Sequence, residues 1–223
     1  MQLKKSRKVL IYFFLLILLG SINNISLNKI NFNKLQNIKI TGLNNADSKK
    51  LQNNIQNLRL ENFLLLNSDK INQIINSNNL VENYKILKIY PSTLDIQITK
   101  TILLANINLD GVLYNVGSNG NLLKSNFSNN ELPYIFGKPN VSEFLELKRI
   151  IDKSKVSYKE IKSFYYFQSK RWDIKLENNI VIKLSNKNLG ESLENAYIFL
   201  NDKSFKNIKI IDARINNQII ING

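Results

Sequence analysis

The spacing of apolar and polar positions divides the chain into an N-terminal apolar block and two units of mixed strands and helices. Val9 to Gly20 (VLIYFFLLILLG) is almost wholly apolar and directly follows Lys4-Lys5-Ser6-Arg7-Lys8. Four cations ahead of such a run are the positive-inside signature, which keeps residues 1–8 in the cytoplasm and sends the rest across. The run is short: Val9 to Gly20 spans about 18 Å as a helix, against about 30 Å of hydrocarbon. Extension to Ile25 gives about 25 Å and takes in Ser21, Asn23 and Asn24. Thinning of the bilayer and snorkelling of Lys8 accommodate such a span. The expected anchor is therefore residues 9–25, with Val9, Phe13, Leu16 and Leu19 among its lipid-facing residues. A cleaved export signal is the alternative, although cleavage after Gly20 would put Leu18 where a small residue is needed. Either reading exports residues 26–223.

Residues 26–36 (SLNKINFNKLQ) read as a polar linker. Ile38 and Ile40 then alternate with polar neighbours up to Gly42, a half-buried strand. Asn45, Asp47 and Ser48 offer N-cap chemistry for a helix over about 48–58, with Leu51, Ile55 and Leu58 on one face. Phe63 to Leu66 is a compact apolar patch. Ser68 or Asp69 caps a second helix carrying Ile71, Ile74 and Ile75. In 81–100 (VENYKILKIYPSTLDIQITK), Tyr84, Ile86 and Lys88 alternate into a turn at Pro91-Ser92, and Leu94, Ile96 and Ile98 alternate on the return. The order strand, helix, helix, strand, strand is a compact α+β unit, a sheet covered on one face by two helices.

The second unit runs from residue 102 to 223. Its strand-like runs are 102–109, 112–116, 161–168, 172–176, 180–184, 208–212 and 218–221, separated by turns at Asp110-Gly111, Gly117 to Gly120, Asn178-Asn179 and Asn216-Asn217. Leu132 to Gly137 is a short apolar segment. Residues 141–153 and 189–202 have a helical period. The expected product is a mostly antiparallel sheet with two helices.

Composition narrows the chemistry. There is no Cys and no His, which excludes disulfides, thiol nucleophiles, imidazole bases and the common zinc and iron–sulfur sites. The formal charge is +14. Lys supplies most of it, with Arg at five positions, beside 37 Asn and 32 Ile. That bias fits A/T-rich codons better than a nucleic-acid surface, which would favour Arg. Four of the cations precede the apolar run, leaving +10 on the exported part. Export itself argues against a nucleic-acid partner.

Several strings, in order, resemble one family. They are IKITG (38–42), KIYPSTLDIQITK (88–100), LPYIFG (132–137), RWDIKLENNIVIKL (171–184) and IDARINNQIII (211–221). Together, behind a short anchor, they are similar to the bacterial cell-division family FtsQ/DivIB. The resemblance implies a cytoplasmic tail (1–8), a transmembrane helix (9–25), a linker (26–36), a POTRA domain (37–101) and a family-type β-domain (102–223). It implies a non-enzymatic scaffold, without catalytic residue, metal or cofactor, single-pass in the inner membrane at the division septum. Its implied partners are other membrane division proteins, including the FtsB–FtsL pair. Lys88 and Lys100 stand where the family usually has Arg and Glu, and Ile215 where an aromatic is common.

Candidate contacts follow. If 218–221 is an edge strand, its unpaired backbone groups accept a partner strand. The expected contact set is Asp212, Arg214, Ile215, Asn217, Gln218, Ile219 and Ile221. Lys85, Lys88 and Lys100 form a candidate basic face of the POTRA unit, for another division protein or anionic lipid. Trp172 reads as core. Gly117-x-x-Gly120 superficially matches a nucleic-acid-binding loop but lies between strands. Two other function classes compete: a POTRA-bearing export or outer-membrane assembly factor, and a wall hydrolase using Asp173 and Glu177.

Overall fold

The computed structural model describes residues 3–22, 34–60, 63, 66–127, 129–202, 208–215 and 218–222. Helix α1 spans Leu3–Ile22 and so takes in the basic cluster. It is exposed on every side from Val9 to Leu19, including Phe13 and Leu16. Its apolar part, residues 9–22, measures about 21 Å. Among the described residues no helix is long and apolar enough to cross a membrane. Residues 23–25, by which the sequence reading lengthens the segment, lie outside the described residues, as does the linker up to residue 33.

The first unit contains β1 (Asn37–Thr41), α2 (Asn45–Gln56), a 3-10 turn (Asn57–Leu60), α3 (Ser68–Asn76), β2 (Val81–Ile89) and β3 (Thr93–Lys100). The sheet order is β1-β3-β2, with β1 parallel and β2 antiparallel to the central strand. Alternation puts Leu94, Ile96 and Ile98 of β3 on one face. Ile38 and Ile40 of β1 and Ile86 of β2 stand beside them in register. Leu51, Ile55, Ile71 and Ile75 of the two helices close this core. Both caps sit one residue earlier than expected. Asn44 Oδ1 accepts from Asp47 N at 2.8 Å, and Asn67 Oδ1 from Asp69 N at 2.7 Å. Gly42, at φ +95°, is required, because a Cβ there would lie 1.7 Å from the Ile98 carbonyl oxygen.

The second unit is a nine-stranded sheet in the order β12-β11-β10-β9-β8-β7-β4-β5-β6. Its strands are β4 (Leu103–Leu109), β5 (Val112–Gly117), β6 (Leu122–Lys124), β7 (Tyr134–Phe136), β8 (Ile161–Tyr166), β9 (Trp172–Leu176), β10 (Val181–Leu184), β11 (Ile210–Ile215) and β12 (Gln218–Asn222). Three of its pairings are parallel: β4 with β7, β7 with β8, and β10 with β11. Parallel neighbours need crossovers, and α4 (Val141–Lys153) and α5 (Leu189–Leu200) supply those after β7 and β10. Phe144, Leu147 and Ile151 of α4 and Leu193 and Ala196 of α5 pack with Ile135, Phe164, Trp172, Ile174, Ile182 and Ile211. Trp172 is 2% exposed, with Tyr166, Phe164 and Phe144 around its ring.

Two Asn side chains organise what surrounds the sheet. Asn106, buried on β4, donates through Nδ2 to the carbonyls of Asn129 (2.7 Å) and Leu132 (3.0 Å). Its Oδ1 accepts from Asn115 Nδ2 (2.8 Å) and Asn129 N (3.1 Å). The chain after β6 is thereby tied to the sheet. Asn119, in the β5–β6 turn, joins the two units. Its Nδ2 donates to the carbonyls of Asn79 and Val81, both at 2.9 Å. Beside it, Ser118 Oγ donates to Glu82 (2.7 Å) and Asn79 Nδ2 donates to the Leu122 carbonyl (3.2 Å). A Cβ on Gly117 would come within 2.6 Å of Asn119 Oδ1 and 2.9 Å of Thr101 Oγ1.

Asn106→Ala should orphan this buried network and cost about 3 kcal/mol in urea unfolding. Asn130→Ala, one residue along the exposed loop, should stay within about 0.5 kcal/mol of wild type.

Candidate partner interface

With α4 and α5 on one face, strand parity fixes what lies on the other. Phe136, Tyr165, Asp173, Lys183, Asp212 and Ile220 are successive register partners across β7, β8, β9, β10, β11 and β12. They form one row perpendicular to the strands. Phe136 stacks on Tyr165 at 4.9 Å between centroids and 12° between planes. Arg171 Nε donates to Asp173 Oδ1 at 3.1 Å, and its guanidinium lies over the Phe167 ring. Arg214 Nε donates to Asp212 Oδ1 at 2.7 Å, and Nη2 of the same residue donates to Oδ2. Lys183 stands in register between the two carboxylates.

The two aspartates respond oppositely. Hydrogen bonds from Arg214 hold the Asp212 carboxyl below the usual carboxylate range. Burial pushes Asp173 up, and the charge of Arg171 offsets only part of that.

The two edges of the sheet differ. β6 is three residues long, and the Leu122 carbonyl receives Asn79 of the first unit. β12 is five residues long and, among the described residues, carries no neighbour on its outer side. Its backbone therefore presents unpaired donors and acceptors.

The sequence-read contact residues divide by parity. Asp212 and Arg214 lie on the open face; Ile215 and Gln218 are exposed at the end of the β11–β12 hairpin. Asn217 lies outside the described residues. Ile219 packs toward the core, and Ile221 pairs with the fully buried Ile211, so both point inward. The exposed isoleucine of β12 is Ile220, at 51%. Three consecutive isoleucines conceal parity, which only the pairing of Asp212 with Ile220 reveals.

Lys85, Lys88 and Lys100 do not share a face. Lys85 is opposite Gln97, whereas Lys88 is opposite Leu94 on the helix-covered side. Lys88 Nζ donates to the Leu66 carbonyl at 2.9 Å. Lys100 has the parity of Leu94 and is exposed at the far end of β3. Asp173 and Glu177 do not converge either: Asp173 is on the open face, while Glu177 lines a cleft of about 660 Å³ with Tyr158, Lys159 and Lys162. Gly117 and Gly120 bracket the β5–β6 turn. Among the described residues no group of carboxylates is placed to hold a metal.

Comparison with known proteins gives two family matches. The POTRA domain, FtsQ-type, matches residues 33–100, and the family model for the cell division protein FtsQ/DivIB, C-terminal, matches residues 105–214. No curated protein matches the chain. A solved structure, the major extracytoplasmic domain of the division protein DivIB from Geobacillus stearothermophilus (trans isomer), aligns with 47% of this chain and 99% of its own. Its identity is 11% and its TM-score 0.33.

The electrostatics generate a test. A carboxyl whose folded pKa is lowered contributes stability above its unfolded pKa, about 3.9, and loses it as pH falls through the folded value. The unfolding free energy of wild type minus that of Asp212→Asn should hold constant from neutral pH and shrink below about pH 4. Asp173 has the opposite sign: wild type should lose stability relative to Asp173→Asn as pH rises through its raised pKa. Urea titrations across this range measure both.

Proposed function

The chain belongs to the FtsQ/DivIB family of cell-division proteins, and from that premise we propose that it is a membrane-anchored scaffold. Residues 1–8 stay in the cytoplasm, α1 holds the chain in the inner membrane, and both folded units lie outside the cytoplasm at the septum. The anchor reading is supported by the cations ahead of Val9 and by the exposure of the apolar residues that follow. Membership of a cell-division family supports the scaffold reading over the wall-hydrolase and export-factor readings.

The β-domain recruits a partner of the FtsB–FtsL type by accepting a strand on β12. The observation that carries this reading is the asymmetry of the sheet edges: β6 is short and bonded by the first unit, while β12 is longer and, among the described residues, unpaired on its outer side. Backbone pairing supplies affinity, and the row of Ile220, Asp212 and its bonded Arg214 supplies side-chain selectivity. Anchoring both partners in one membrane raises their effective concentration, so a modest interface suffices.

Ile220→Lys and Ile215→Lys change exposed side chains of the β11–β12 hairpin and should leave the urea midpoint in place. Each should weaken binding of a purified FtsB–FtsL-type pair about tenfold. Wild-type affinity in both folded variants would contradict the assignment.

A further inference from the structure

Among the described residues of 34–101, the large apolar side chains that are exposed are two neighbours, Ile89 at 49% and Tyr90 at 63%. They form the tip of the β2–β3 hairpin. This tip is fastened beside the segment through which the chain arrives from α1: the Ser92 carbonyl accepts from Gln36 N at 3.0 Å and from Asn37 N at 3.2 Å. Lys34 is exposed two residues before Gln36. Gln36 follows Ile22 by fourteen residues, a reach of at most about 50 Å, so the point where the tip is fastened stays within that distance of the C-terminal end of α1.

We propose that Ile89-Tyr90-Pro91 rests in the headgroup region of the bilayer that holds α1. This rests on the anchor reading above. The residue types suit that layer. Tyr90 has an apolar ring and a polar hydroxyl, the combination enriched where hydrocarbon meets water. Its ring is braced at 5.6 Å by the buried Phe63, at 79° between planes, which holds it in place while 63% of the residue stays exposed. Pro91 brings no N–H to be desolvated. Lys34, exposed beside the tip's attachment, supplies positive charge toward anionic headgroups. A protein partner fits this surface less well. Two side chains on a convex turn fall far short of the roughly 1,000 Å² a specific interface needs, whereas a fluid interface moulds itself around them.

The absence of Cys permits single-cysteine labelling of the full chain. Chains with Tyr90→Cys, Ile89→Cys, Phe13→Cys or Phe127→Cys, each carrying an environment-sensitive fluorophore, are reconstituted in phosphatidylethanolamine–phosphatidylglycerol vesicles. Spin-labelled lipids then quench whatever contacts the bilayer. Phe127, 83% exposed in the second unit, is the water reference. Ile89→Cys guards against loosening of the Phe63 contact in Tyr90→Cys. The expected result is a blue shift and lipid quenching at 13 and at 89 or 90, and neither at 127. Quenching at 13 with 89 and 90 as wet as 127 overturns the proposal and leaves the anchor standing. Absence of quenching at 13, 89 and 90 overturns both. A blue shift at 89 or 90 without lipid quenching places the tip against protein and also overturns the proposal.

Discussion

An open sheet has two edges, and the unpaired backbone on each must be covered, shortened or used. That constraint organises the second unit. At β6 the chain limits the strand to three residues and joins it to the first unit through Asn79 and Asn119. At β12 it leaves five residues of backbone and an exposed isoleucine. The same hydrogen bonds that blunt one edge also fix the two units to each other. The β12 edge is thus held at a set position relative to the β2–β3 hairpin tip.

Burial of the other face gives the edge its side chains. Covering one face with α4 and α5 forces every second residue of β7 to β12 to the opposite side. The resulting row ends in Asp212, its bonded Arg214, and Ile220. The Asp212–Arg214 pair is two residues apart on one strand, so its geometry costs little side-chain ordering. An ion pair of this kind adds little stability where it is exposed. In the proposed interface it would present an oriented charge beside the β12 backbone.

Much of this was legible in the sequence, because an alphabet rich in Ile, Lys and Asn makes alternation sharp. KIYPSTLDIQITK shows its two strands and turn directly, and Ile71, Ile74 and Ile75 show a helix face. Trp172 reads as core and is core. Other features lack a local signal. Asn106 makes four side-chain hydrogen bonds, three of them to the loop after β6, yet one Asn among 37 cannot be told from the rest until its strand is placed. Parity fails where apolar residues run together, as in Ile219 to Ile221. Lys88 reads as a surface cation but sits on the covered side, its amine reaching the Leu66 carbonyl. The parallel pairings depend on where α4 and α5 return the chain, which periodicity does not encode.

The central claim is that β12 receives a strand. Amide hydrogen exchange of the full chain, with and without an FtsB–FtsL-type pair, reports on that backbone directly. The account predicts that amides within Gln218–Asn222 slow markedly on binding, in the alternating pattern of a newly paired strand. Unchanged exchange across β12, with protection appearing elsewhere on the β-domain, would contradict it.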